Sequence, residues 1–343
     1  MLKKIRVEDA VGTKLAHDIT EIRPGEFKGP AFRKGHEVCN DDICHLQKIG
    51  KNQLYLIDLD DDEIHENKAA AILAAGLAGK GIDWLDNPRE GKIELCAAAD
   101  GLLKVDAAAL AAFNMVDEVM CATLHSNTLI RKGELVAATR AIPLVMKRTP
   151  IERAAAIASQ NGGVVSVRPL HQVNVGLVVT GNEVFHGLIE DKFAPILTAK
   201  VEALGSRVAG IAFSPDDTDQ IRAAIQKHID AGCKLILLSG GMSVDPDDVT
   251  RLAIRQAGAD AVYYGAAVLP GAMFLTAYID DIPLLGVPAC GLHHRVTVLD
   301  LVLPRILSGE RVGKNELAFL GLGGLCKDCP DCTYPHCHFG KGC

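Results

Sequence analysis

One stretch of this chain gathers the residue types that bind charged ligands: Ser239-Gly240-Gly241-Met242-Ser243-Val244-Asp245-Pro246-Asp247-Asp248. It follows the apolar run Lys234-Leu235-Ile236-Leu237-Leu238 and precedes a helical pattern. A glycine-containing turn between a buried strand and a helix start offers backbone N–H groups to an anion. Three carboxylates in the same turn add a second capacity, because Asp245, Asp247 or Asp248 can hold a divalent cation such as Mg²⁺ beside a phosphate. The expected ligand is therefore phosphorylated. A second polar turn, Thr180-Gly181-Asn182-Glu183, follows another apolar run, Val175 to Val179. Its glycine lets backbone approach a ligand, Thr180 and Ser239 can donate to phosphate, and Glu183 can accept from the N–H groups of a heterocycle.

The C-terminal segment carries different chemistry. Cys326-x2-Cys329-x2-Cys332-x4-Cys337-x5-Cys343, with His336 and His338, spaces thiolates so that they can wrap a soft metal. The run approaches, without equalling, the Cys-x2-Cys-x2-Cys-x3-Cys-Pro pattern of ferredoxins. So short a segment has no core of its own, so a metal or a disulfide must order it, or it stays disordered. A metal is the favoured reading, as an iron–sulfur cluster ahead of zinc. The other six cysteines are scattered and read as small buried hydrophobes.

These turns need a scaffold, and the pattern from Val173 onward supplies one. Strands at Val175–Val179, Arg207–Phe213 and Lys234–Leu238 alternate with helices whose inner faces carry Ile196, Leu197 and Val201, then Ile221, Ile225 and Ile229. Strands over residues 260–268, 274–279 and 283–287 follow, and a last helix carries Val296, Leu299, Leu303 and Ile306 inward, with Pro304 expected to kink it. Such alternation implies an α/β, doubly wound, mostly parallel sheet with ligands at the carboxyl ends of the strands. The first 170 residues are a mixed α+β region. Short strands and turns occupy residues 1–60, an alanine-rich helix runs over 66–77, a helix sits near 107–113, and a linking helix covers 151–160. Four segments result: 1–80, mixed; 81–170, β-rich with the linking helix; 171–310, the α/β ligand domain; and 311–343, the cysteine-rich tail.

A formal charge of −7 over 343 residues, with Lys and Arg scattered, gives no footprint for nucleic acid or an anionic membrane. Charge at Lys3, Lys4 and Arg6 interrupts any apolar signal-peptide core, and no apolar run spans a bilayer. A cytoplasmic location is expected.

Taken in order, Thr180-Gly181-Asn182-Glu183, Phe213-Ser214-Pro215-Asp216-Asp217, Ser239 to Val244, Leu269-Pro270-Gly271 and Gly286-Val287-Pro288 before a helix ending Leu303 to Gly309 resemble the molybdopterin-binding domain of molybdenum cofactor biosynthesis proteins. The likeness is nearest to the molybdopterin molybdenumtransferases, bacterial relatives of a gephyrin domain. It covers about residues 173–310 and is loose over residues 1–150. What the resemblance implies is a pterin dithiolene with a terminal phosphate, in free or adenylylated form, onto which molybdate is inserted with Mg²⁺ and AMP release. Glu183 and Asp248 would be the catalytic carboxylates. Thr180, Gly181, Asn182, Ser239, Gly240, Gly241, Ser243, Pro270, Gly271 and Pro288 would face the ligand, and Asp245, Asp247 and Asp248 the Mg²⁺. A homodimer sharing its sites is a further implication; for the cysteine-rich tail, a structural role, a redox role and docking to a molybdoenzyme partner are all open.

Several positions depart from the family pattern. Asn182 stands where an aspartate is usual, Asp245-Pro246 where Gly-Asp is usual, and Leu269 to Met273 lacks the family's lysines. Val287-Pro288-Ala289-Cys290-Gly291 replaces a Leu-Pro-Gly-Asn-Pro turn, and the family's C-terminal β domain has no counterpart in the residues that follow. His293, His294 and Arg295 are candidates to supply the missing cations. Two alternatives remain beside the transferase: a non-catalytic carrier or sensor of the cofactor, and a nucleotide pyrophosphatase like the competence/damage-inducible proteins, which the Gly240 to Thr250 stretch also resembles.

Overall fold

A computed structural model describes residues 2–57, 59–243 and 248–342. The chain forms two compact units: residues 1–98, 105–124 and 132–166 make one, and residues 99–104, 125–131 and 167–343 the other.

The first unit is a mixed α/β assembly. Leu2–Arg6 pairs antiparallel with Gln53–Ile57, and Ile19–Arg23 with Phe27–Phe32. A four-stranded antiparallel sheet runs in the order Ile82–Trp84, Lys92–Ala97, Leu135–Ala141, Val119–Thr123. Alternation along Lys92–Ala97 buries Ile93, Leu95 and Ala97 while Lys92 and Glu94 face out, the period of a half-buried strand. Ala70 and Ala74 of the helix Glu66–Leu77 pack on Ile93. The sequence reading of residues 1–60 as strands and turns missed a helix at Asn40–Lys48. Only Leu46 of that helix is fully buried, so the segment has no apolar stripe to announce it. Its start is fixed instead by Asp42, whose carboxylate accepts from the Cys39 N–H at 2.9 Å and pairs with His36 at 2.7 Å.

In the second unit six strands form one sheet, ordered Arg207–Ser214, Asn174–Thr180, Leu235–Ser239, Ile282–Val287, Leu275–Ile279, Ala261–Tyr264. The first four are parallel, Leu275–Ile279 runs antiparallel to Ile282–Val287, and Ala261–Tyr264 runs antiparallel in turn to Leu275–Ile279. Leu235–Ser239 is buried along its whole length, as a central parallel strand covered on both faces must be. Odd positions of the strands (Val175, Leu177, Leu235, Leu237, Leu285) pack with Leu197 and Val201 of the helix Phe193–Ala203 and Leu299, Val302 and Leu303 of Val298–Leu307. Even positions (Val178, Ile236, Leu238, Leu284) meet Ile221 and Ile225 of Thr218–Asp230 and Ala253 and Ile254 of Thr250–Gln256. Helices thus cover both faces.

Two caps show how local chemistry sets the boundaries. Asp217 accepts from the Gln220 N–H at 2.9 Å and starts its helix. Thr297 and Asp300 form a capping box, with Asp300 accepting from the Thr297 N–H at 2.7 Å. The helix Val298–Leu307 continues through Pro304, and the Ser308 N–H returns to the Pro304 carbonyl at 2.9 Å.

Candidate functional site

Parallel register aligns the ends of the central strands. Thr180 lies opposite Ser214, Val179 opposite Ser239, and Ser239 opposite Val287, so the turns leaving these strands emerge at one edge. There they enclose a cavity of about 1010 Å³ within the second unit. Thr180, Glu183, Gly240, Gly241, Ser243, Asp248, Pro270, Gly271 and Pro288 all line it, which brings together most of the positions singled out from the sequence.

Close packing explains why the Ser239 turn has this sequence. Gly240 has φ +88°, and a Cβ there would stand 2.3 Å from the Thr180 carbonyl oxygen. At Gly241, φ is +59° and a Cβ would meet Thr250 Oγ1 at 2.2 Å. Neither position admits a side chain without displacing its neighbour. From below, Met242 is buried against Gly286, and the Tyr264 hydroxyl donates to the Met242 carbonyl at 2.7 Å. Arg251 lies over the Tyr264 ring, 4.3 Å from its centroid, and holds that phenol in place.

Hydroxyls in the turns are used differently from the sequence expectation. Thr180 Oγ1 donates to the Ser239 carbonyl at 3.1 Å and lies 3.2 Å from Thr250 Oγ1, so it ties the two strand ends together. Ser239 Oγ is fully buried and has no partner among the described residues, and the side chain does not line the cavity. Asn182 also faces elsewhere: its N–H donates to Asp216 at 3.0 Å and its carbonyl Oδ1 accepts from the Asp216 N–H at 3.2 Å. That reciprocal pair explains an amide where a carboxylate was expected, since Oδ1 must face a backbone donor beside the Asp216 carboxylate. Gly181, with φ +141°, shapes the same turn without lining the cavity.

The structure adds wall residues that sequence reasoning did not single out. Glu190, Asp191, Lys192 and Phe193 form one side and Met273, Cys290 and Leu292 another. Asp191 accepts from the N–H groups of Phe193 at 2.8 Å and Ala194 at 3.0 Å, capping the helix Phe193–Ala203. The polar run before Phe193 was the available signal. Lys192 is the only cationic side chain lining the cavity among the described residues. Burial pushes the Cys290 thiol up, so it presents a neutral S–H.

As for a divalent cation, Glu183, Glu190, Asp191 and Asp248 supply oxygen donors on the cavity wall, the donor chemistry that suits Mg²⁺. Among the described residues no three His, Cys, Asp or Glu side chains converge to hold one ion. Asp245 and Asp247 lie outside the described residues.

His293, His294 and Arg295 do not line this cavity. The 3-10 turn Ala289–Leu292 carries the chain past the rim, and the three residues line a second cavity of about 610 Å³ with Cys326, Cys329, Cys332 and Cys337. His294 Nδ1 pairs with Asp328 there at 3.3 Å. Within the first unit a smaller polar cavity of about 350 Å³ is lined by His17, Lys34, His65, Glu66 and Arg140. Burial lowers the pKa of His17 and His65 and raises that of Glu66. No spacing in the sequence marks this group, because His17, Lys34, Arg140 and the His65-Glu66 pair lie far apart along the chain. No described helix is long and apolar enough to cross a membrane.

Residues 176–308 match the family described as "Probable molybdopterin binding domain", and residues 4–58 match one described as a domain of unknown function. A molybdopterin molybdenumtransferase of Synechococcus elongatus is 28% identical over 143 residues, 39% of this chain and 36% of that protein. A CinA-like protein of Mycobacterium leprae is 36% identical over 75 residues, 22% of this chain and 18% of the relative. Among solved structures, the molybdopterin biosynthesis enzyme MoaB from Thermus is 22% identical, with 40% of this chain and 98% of that one covered and a TM-score of 0.35. The chain thus spans less than two-fifths of the length of these curated relatives.

Proposed function

With residues 176–308 matching a molybdopterin-binding family, we propose that the cavity at the strand ends binds a phosphorylated pterin and that the chain inserts molybdate into adenylylated molybdopterin, releasing AMP. The observation that carries this reading is the convergence of the turns at 180–183, 240–243, 270–271 and 288 on one cavity inside the matched segment. Its volume lies at the upper end of what small-ligand sites enclose, enough for a pterin joined to a nucleotide.

Roles for the wall residues follow from their chemistry. Gly240 and Gly241 present backbone without side chains, so a phosphate can approach their N–H groups. Lys192 neutralises phosphate or oxyanion charge, and Ser243 is a donor on the same wall. Glu183 accepts from pterin N–H groups. Asp248, with Glu183, Glu190 or Asp191, would hold Mg²⁺, which supplies charge neutralisation on the phosphate being cleaved. Phe193, Leu292 and Met273 give the fused ring an apolar surface and exclude water from the reacting phosphate.

A second reading, a carrier or sensor that binds the cofactor without turnover, is favoured by one observation: among the described residues a single lysine lines a site for a ligand with several negative charges. The test is to incubate the anaerobically purified chain with adenylylated molybdopterin, molybdate and Mg²⁺, following AMP release and molybdenum incorporation together. Both products are expected, and Asp248→Ala should abolish them while leaving the fold intact. Tight binding with neither product would replace the transferase by the carrier. Hydrolysis of ADP-ribose-like compounds in their place would favour the pyrophosphatase. Full activity of Asp248→Ala would remove the assignment of that carboxylate.

A further inference from the structure

We propose that Cys326, Cys329, Cys332 and Cys337 hold an iron–sulfur cluster in the cavity they share with His293, His294 and Arg295. All four cysteines line that one space of about 610 Å³, and all four are free thiols. The site lies within the second unit and is separate from the strand-end cavity, so it does not depend on the molybdopterin reading.

The tail that carries these cysteines is a built structure. Leu325 forms a parallel bridge with Leu269, and the Cys326 N–H donates to the Leu269 carbonyl at 2.8 Å. His338 Nε2 donates to the Leu325 carbonyl at 2.9 Å, and the Gly340 N–H to the Gly323 carbonyl at 2.9 Å, which folds the segment back on itself. Phe339 is 1% exposed and packs edge-on to Tyr334, with ring centroids 6.3 Å apart. A Cβ at Gly340 would stand 2.4 Å from Leu301 Cδ2, so the loop is pressed against the helix Val298–Leu307. This packing holds Cys326 and Cys337 half-buried at one side while Cys329 and Cys332 are exposed at the other.

Four thiols line one cavity, the number an iron–sulfur cluster takes, and among the described residues no three His, Cys, Asp or Glu side chains already converge on one point, so binding must draw the thiols together. The Asp328 N–H reaches Cys326 Sγ at 3.4 Å, the kind of backbone donor that stabilises a cluster-bound thiolate. Arg295 and Lys327 line the same cavity, and Asp328 and Asp331 line it beside them. Binding costs each thiol its proton, and the iron–sulfur bond takes the electron pair left on sulfur.

The test is to reconstitute the full chain under argon with ferric chloride, sulfide and dithiothreitol as reductant, then desalt and measure iron, acid-labile sulfide and zinc per chain. Iron and sulfide should be retained in equal amounts, with a broad sulfur-to-iron absorption in the visible. The Cys329→Ser/Cys332→Ser variant removes exposed side chains, so its fold should persist by far-UV circular dichroism while its iron and sulfide fall to background. A Cys39→Ser/Cys44→Ser variant, altered at the exposed cysteines of the first unit, should retain the full complement. Zinc without sulfide, absence of retained metal, or full iron in the Cys329→Ser/Cys332→Ser chain would each overturn the proposal.

Discussion

Glu310→Gln is the most quantitative perturbation this structure offers. Glu310 lies just beyond the helix Val298–Leu307 and accepts from Arg305 through both carboxylate oxygens, and from Lys104 Nζ at 2.9 Å. Burial by itself pushes the Glu310 carboxyl up, but hydrogen bonds and charge from Arg305 and Lys104 overcome it and hold the group at about 2, against an ordinary 4.5. That depression corresponds to about 3 kcal/mol of folding free energy at neutral pH. Because the folded value lies below the unfolded one, the contribution is complete above an ordinary carboxylate's range and disappears as pH falls toward 2. Arg305 is 7% exposed, so the glutamine variant would leave a buried guanidinium without its counter-charge. Urea unfolding of both chains should therefore show a gap of about 3 kcal/mol near pH 7 that closes to under about 1 kcal/mol by about pH 2.5. Taking the difference between the chains cancels the other carboxylates. Lys104 behaves differently: burial pushes its ammonium down despite Glu310, so Arg305 supplies most of the benefit. Lys104→Met should cost under about 1 kcal/mol. A Glu310→Gln gap that is small at neutral pH, or that stays constant on acidification, would refute the reasoning.

Other consequences follow from close packing and from a buried histidine. Gly240→Ala should cost about 2–4 kcal/mol, because its Cβ meets the Thr180 carbonyl, which is backbone and has no room to yield, and φ +88° strains any L side chain. An unchanged urea midpoint in that variant would show that the turn relaxes freely. His228 is buried with Nε2 3.0 Å from the Leu177 carbonyl, and burial holds its pKa below the ordinary 6.5. A histidine kept neutral in the fold is more basic when unfolded, so stability declines as pH falls below 6.5. His228→Gln should flatten that part of the stability profile relative to the parent chain, and an equal slope in both would count against it.

How much of this was legible in the sequence depended on the range of the interactions involved. Strands such as Leu235–Ser239 and Asn174–Thr180 announce themselves because a parallel strand covered on both faces needs an unbroken apolar run. The strand-end cavity was legible for a related reason, since parallel order places successive turns at one edge. What escaped were side chains whose partner lies far along the chain. Asn182 looked like a ligand contact until Asp216, across the neighbouring strand end, took both its backbone N–H and its side-chain oxygen. Ser239 read as a phosphate donor, yet as the last residue of its strand it is fully buried and does not line the cavity.

The tail shows the same limit more sharply, and it bears on how the two cavities relate. Cysteine spacing singled out a candidate ligand set from the sequence alone, because that pattern is local. Nothing local could show that Leu269, a wall residue of the strand-end cavity, is also the backbone partner of Gly324, Leu325 and Cys326. His293 to Arg295 make a second connection, since they follow the Ala289–Leu292 turn on one cavity and line the other. Two separate segments of the wall therefore continue into the cysteine-lined space. A group bound by the tail would therefore also restrain the backbone at Leu269, which is hydrogen-bonded to Gly324 and Cys326, and at His293 to Arg295, which line the cysteine cavity.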